Sequence, residues 1–418
     1  MCDCFCEELV LLLEQMLVLC FFMFCMLLMG IDASNFTYIK GNVSCTIIGL
    51  TNGEGKVQSY DFLTNSTEEL VFKNASIDVL DLTVPMEKVT SWKLLISDSN
   101  ATRIIFPAQM SPSMVHLVNV GVDDLQFEEN TNLQDFRVDY ATLPVISPTV
   151  SKLAALDILW VTHSALANFS FEVLENSSIS LLYLVANKIE TVTIAPGLRC
   201  CENLEEIFLS DNKLKTLDLA TFAFMSKLKT LFVENNQLVE VYTNLDTNHN
   251  QTFEVGGNGT RQFCSWRSYY LQQDDDSSID EAPTPNCTDY FSALLSMQLA
   301  RNHIVTLNFR TFSLMNSLNS LDLSSNRLVN LVASEDEVPV RLSELFVSNN
   351  NISDIQLAKF VSLKALYMYD NSLTKLNMSS LPVELDYLNL VNNPLNCSEL
   401  PHMNRSTNLP SLGPYTEC

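Results

Sequence analysis

Apolar residues recur along most of this chain in one pattern, L-x-x-L-x-L-x-x-N-x-L. It is clearest in LEEIFLSDNKL (204–214), LKTLFVENNQL (228–238), LLSMQLARNHI (294–304), LNSLDLSSNRL (318–328), LSELFVSNNNI (342–352), LKALYMYDNSL (363–373) and LDYLNLVNNPL (385–395), with another copy over 179–189. Weaker copies begin near Thr67, Val89, Met114, Leu133 and Leu153, where the Asn is lost but the apolar spacing survives. Successive starts lie 19–26 residues apart, except for one step of 66 between Leu228 and Leu294. In L-x-L the alternate residues point inward and the intervening ones outward, the period-two rule of a strand, so each copy predicts one short strand. The Asn that follows can bond backbone groups of neighbouring coils with both halves of its amide. Phe222, Phe312 and Phe360 fall on the return stretches, where an aromatic ring fills space behind the strands.

A period of 20–29 residues with this spacing resembles the leucine-rich repeat, and the chain resembles extracellular members of that family over roughly 67–395. The resemblance implies an α/β solenoid, a horseshoe of about 13 repeats with short parallel strands on its concave face. A single coil cannot bury its own apolar edge, so both ends need caps. The expected organisation is a leader over 1–33, an N-terminal cap over 34–66, repeats over 67–238, an inserted island or loop over 239–293, repeats over 294–395, and a C-terminal cap over 396–418. NPLNCSEL (393–400) through Cys418 resembles a disulfide-closed C-terminal cap, whereas the N-terminal cap holds Cys45 without the usual paired Cys.

The leader bears on compartment. Met16 to Ile31 runs sixteen residues without a charge or an amide, short for a membrane span but suited to a signal-peptide core, with a small-residue cleavage site at Ala33. Asp3, Glu7, Glu8 and Glu14 stand where a basic flank is usual, so an uncleaved anchor or a start at Met16 are the alternatives. Fourteen N-glycosylation acceptors follow, at Asn35, Asn42, Asn65, Asn74, Asn100, Asn168, Asn176, Asn250, Asn258, Asn286, Asn351, Asn377, Asn396 and Asn404. That is roughly twice the chance number and favours secretory passage. Beyond the leader there are seven Cys. Cys264 with Cys287 and Cys397 with Cys418 are local pairs that would close short loops, leaving Cys45, Cys200 and Cys201 with an odd thiol among them.

Composition removes several function classes. The formal net charge of −25 argues against nucleic acid, because a phosphate backbone would be repelled. Five His, no two in ligand spacing, and no Cys-x₂-Cys leave no metal site, and no cofactor or catalytic motif is present, so the expectation is not an enzyme.

What remains is recognition by the outward strand positions, the third, fifth, seventh and eighth of each copy. At the fifth, Tyr183, Phe208 and Phe232 form one aromatic stripe, and Phe346 and Tyr367 a second, thickened by Tyr369 and Tyr387. Exposed rings on such a surface are binding anchors, or else they shield the sheet. Ten acids (Glu69, Asp135, Asp139, Asp157, Glu206, Asp211, Glu234, Asp322, Glu344 and Asp370) face four bases (Lys73, Lys93, Arg137 and Arg301), which favours a basic or neutral protein or peptide ligand. The island adds Trp266, Tyr269 and Tyr270 between its two Cys. In some leucine-rich repeat receptor kinases an island of this kind helps form the ligand site; a glycosylated loop is the plainer reading. The function expected is a secreted, non-catalytic recognition module. The alternatives are the ectodomain of a receptor-like kinase and a hydrolase inhibitor. A membrane enters only through an uncleaved leader or a missing span.

Overall fold

The computed structural model describes residues 36–52, 60–108, 110–195, 201–243, 252–255, 259–262, 290–333, 338–395 and 411–412. The chain forms two compact units, one up to Leu143 and one from Pro144. Each is a solenoid of parallel strands.

In the first unit, Ser44–Ile48, Glu69–Lys73, Lys93–Phe106, Met114–Phe127 and Asp135–Asp139 pair in parallel, in that order. The alternation is the cause: Leu70 and Phe72, Leu94 and Ile96, Val115 and Leu117, and Phe136 and Val138 are buried, and the residues between them are not. The two 14-residue strands also continue onto the return side, where Asn100–Ile105 lies beside Ser76–Asp81. Each turns that corner at one residue of left-handed backbone, Asp98 (φ 51) and Asn119 (φ 55), residue types that tolerate it. Phe106 stacks on Phe127 at 4.6 Å, with Phe136 edge-on to both.

Beside the first parallel strand lie an antiparallel partner and a cluster of rings, without a disulfide there among the described residues. Thr37–Lys40 pairs antiparallel to Ser44–Ile48, and Phe36, Tyr38, Tyr60 and Phe62 cluster beside it, Tyr38 stacking on Phe62 at 3.9 Å. Cys45 is free and buried on the second of these strands, and burial pushes its thiol up to about 11 against the opposing pull of Lys40.

In the second unit the parallel strands are Ile158–Thr162, Leu181–Tyr183, Glu206–Phe208, Thr230–Phe232, Ser296–Gln298, Ser320–Asp322, Glu344–Phe346, Ala365–Tyr367 and Tyr387–Asn389, and Ser411–Leu412 adds one more. The repeat Asn binds as its amide allows. Asn212 donates to the Leu184 carbonyl of the preceding coil (2.8 Å) and to Leu209 of its own (3.0 Å), while its Oδ1 accepts from Ile189 N (3.0 Å). Asn187, Asn236, Asn302, Asn326, Asn350, Asn371 and Asn393 repeat the arrangement. One position before each Asn the backbone is left-handed, from Ala186 to Asn392.

Return stretches carry short strand pairs, such as Thr216–Asp218 with Glu240–Tyr242, and 3₁₀ turns capped by Ser170, Asp218, Asn308 and Asn377. Among the described residues the one α-helix is the single turn Thr83–Glu87, so the α part of the expected α/β solenoid is slight. Phe222, Phe312 and Phe360 are buried in these stretches, as their positions implied.

The long step between Leu228 and Leu294 does not break the stack. Thr230–Phe232 pairs directly with Ser296–Gln298, and Glu240–Tyr242 still occupies a return-side strand. Tyr290 meets Phe224 edge-on at 5.3 Å and Phe291 is buried, so both flanks of the inserted segment belong to regular coils. Within it, Thr252–Val255 and Gly259–Gln262 form an antiparallel hairpin.

Three weak copies sit in a different register from the expected one. The strands place their first positions at Ser91, Pro112 and Leu156, not at Val89, Met114 and Leu153. Val89 and Leu153 are buried in other parts of their coils, and without an Asn to mark the strand end their apolarity imitates a repeat start.

Candidate functional site

The corrected register changes what the strand faces carry. Trp160, and not Asp157, pairs with Tyr183 at the fifth position. In the second unit this row reads Trp160, Tyr183, Phe208, Phe232, Gln298, Asp322, Phe346, Tyr367 and Asn389. Trp160 stacks on Tyr183 at 3.7 Å with planes 4° apart, Tyr183 leans on Phe208 at 4.7 Å, and Phe208 stacks on Phe232 at 4.4 Å. Beyond Gln298 and Asp322 a second column begins, with Phe346 on Tyr367 at 4.4 Å and Tyr387 tilted against Tyr367 at 5.0 Å. Strand spacing sets these distances, so identical positions on adjacent coils bring their rings into contact. All of these rings are half-buried: their faces cover one another and part of each remains at the surface. Tyr369, at the seventh position, is half-buried beside the second column. Trp160 was missing from the fifth-position row because a start at Leu153, three residues early, puts it at the eighth position; a search for aromatics one residue after a buried Leu finds it.

The acids divide sharply between units. On the first unit's strand face each acid has a partner: Glu69 with Lys93 (2.7 Å), Asp98 with Lys73 (3.8 Å), Asp135 with Arg137 (2.8 Å) and Asp139 with His116 Nε2 (2.8 Å). Asp98 replaces Asp157 in the outward set, and Asp157 instead stands exposed at the second position, accepting from Ser180 Oγ. The second unit's face holds Glu206, Asp211, Glu234, Asp322, Glu344 and Asp370 against Arg301, and none of these acids has an ion-pair partner among the described residues. Their hydrogen bonds are to neutral groups: Asp211 accepts from Asn235, Asp370 from Asn392 (2.7 Å), and Asp322 from Ser324 N (2.7 Å). Partial burial, then the charges of Asp322 and Asp211, hold the Glu234 carboxyl above its ordinary range, with Arg301 opposing. Burial and Glu344 likewise raise the Tyr367 hydroxyl.

Of the expected glycan acceptors, Asn42, Asn65, Asn74, Asn100, Asn168, Asn176, Asn351 and Asn377 are exposed. In the second unit the described ones lie off the strand face. Asn35, Asn250, Asn258, Asn286, Asn396 and Asn404 lie outside the described residues, as do Cys264, Cys287, Cys397, Cys418, Trp266, Tyr269 and Tyr270. Cys201 is disulfide-bonded, which leaves Cys45 as the free thiol among the described residues. Among those residues no helix is long and apolar enough to cross a membrane, and no group of three His, Cys, Asp or Glu could hold a metal.

The family profile described as Leucine rich repeat matches residues 177–238. Podocan of Mus musculus is 28% identical over 327 residues, covering 72% of this chain and 51% of podocan. Toll-like receptor 5 of Homo sapiens is 28% identical over 201 residues, covering 46% of this chain and 20% of that protein. The chain therefore spans about half the length of the first relative and less of the second. Among solved structures, the leucine-rich repeat domain of APL1 aligns over 84% of this chain and 82% of that one, with a TM-score of 0.50 and 15% identity, a likeness of fold. The Asn ladder, the inward Leu and the parallel strand in each described coil, together with the profile over 177–238, show that this chain carries leucine-rich repeats and folds as a leucine-rich repeat solenoid.

Proposed function

We propose that the chain is a non-catalytic recognition module that takes a protein or peptide along the strand face of its second unit, outside the cell. The observation that carries this reading is the pair of half-buried ring columns, Trp160 to Phe232 and Phe346 to Tyr387. Rings held in place by their neighbours lose little conformational freedom on binding and offer large apolar area, the properties of interface anchors. An acidic surround of six carboxylates and one guanidinium supports a basic or neutral partner. The absence of described glycan acceptors from this face agrees with its staying open.

A receptor ectodomain is the second reading, favoured by the presence of a Toll-like receptor among the relatives. The test common to both is peptide selection. A random 12-mer phage library is panned on the secreted full chain, and enriched peptides are titrated against the wild type and against Phe208→Ala with Phe232→Ala. The proposal expects roughly tenfold or greater loss while the chain still melts in one cooperative transition, at a somewhat lower temperature. Undiminished binding would remove it.

A further inference from the structure

The ring row is interrupted at one place. After Phe232 the fifth position holds Gln298 and then Asp322 before the rings resume at Phe346. The seventh position falls in size over the same coils, from Glu234 to Ala300, Ser324 and Ser348. With strands about 4.8 Å apart, Phe232 and Phe346 stand about 14 Å from each other across a floor of short side chains. We propose that this notch seats a lysine or arginine side chain of the partner, its stem between Phe232 and Phe346 and its cation against Glu234 and Asp322. The inference rests on the reading above and specifies the chemistry of the partner at one point of that surface.

Two observations converge on the notch. Glu234 and Asp322 have no ion-pair partner among the described residues, and Arg301 on the neighbouring eighth position forms no ion pair with either. The first unit shows the alternative arrangement: its strand-face acids are each matched by a base one coil away or on the same strand. In the second unit Lys229 is drawn instead to the strand margin, where it pairs with Glu205 at 2.6 Å, and the outward carboxylates have only Arg301 in their surroundings, without an ion pair to it. A cation arriving from outside supplies what the first unit builds in.

A lysine ammonium has three N–H donors and an arginine guanidinium five, enough to serve both carboxylates. The long apolar stem of either side chain would lie along the flanking rings.

The test uses the panned 12-mer library as probe, on the full chain and on a Glu234→Gln, Asp322→Asn variant. Both changes keep shape, and the amide oxygen introduced at position 322 can still accept from Ser324 N, so the variant should stay folded and melt no lower than the wild type. Peptides enriched on the wild type should carry Lys or Arg between apolar residues, and should bind the variant roughly tenfold or more weakly. Ring-dependent peptides without such a preference, or with unchanged affinity for the variant, would overturn this inference and leave the recognition reading standing. Enriched peptides indifferent to Phe208 and Phe232 would overturn both.

Discussion

The side-chain amide of Asn302 donates to the carbonyl of Val233 at 3.0 Å, although 69 residues separate them in the chain. The same amide bonds Leu299 O (3.1 Å), and its Oδ1 accepts from Leu238 N (3.0 Å), all in buried surroundings. This one side chain joins the coil before the inserted segment to the coil after it. Asn302→Ala leaves one donor and three acceptors without their side-chain partner and should cost about 2–3 kcal/mol, read from the urea midpoint. A loss below about 0.5 kcal/mol would show that the strands alone hold the two coils together.

Ala186 occupies the left-handed position that Asn or Asp fills in several other coils, with φ at 58°. Its Cβ crowds the backbone there, whereas glycine has no such penalty. Ala186→Gly should therefore stabilise the chain by about 0.5–1 kcal/mol, despite the greater freedom of glycine in the unfolded chain. Calorimetry checks this; a lowered melting temperature would mean that Ala186 packing outweighs its backbone strain.

Glu234 gives a pH prediction. Its carboxyl is raised in the folded chain by burial and by Asp322 and Asp211, so folding disfavours its ionised form. The stability linked to this group is complete below the ordinary Glu range and is lost as pH rises through the raised value. Glu234→Gln should thus melt higher than the wild type at pH 7, by less than about 1 kcal/mol because the site is partly solvated. The gap should close at acidic pH, and a gap that widened there would refute the assigned cause.

Much of this molecule is written in its spacing, and the exceptions have physical causes. Where Asn212 or Asn326 marks the strand end, the register follows directly from the sequence, because only that position serves three backbone groups at once. In the first unit Ser99 takes that position and accepts from Ala75 N at 2.9 Å, while the next coil has Val120 there. The marker is gone, apolar residues elsewhere in the coil compete with it, and Trp160 was displaced in the same way. The ring columns were legible as a row of fifth positions. The division of charge was not, because Asp135 and Glu234 look alike until Arg137 and the surroundings of Glu234 are placed in space.

The claim that a partner lands on the second unit's strand face is tested most directly by hydroxyl-radical footprinting of the full chain with and without a selected peptide. Oxidation of Trp160, Tyr183, Phe208, Phe232, Phe346 and Tyr367 should slow on binding. Phe224, on a return stretch and 43% exposed, should keep its rate. Protection of Phe224 with no change at the ring columns would contradict the account.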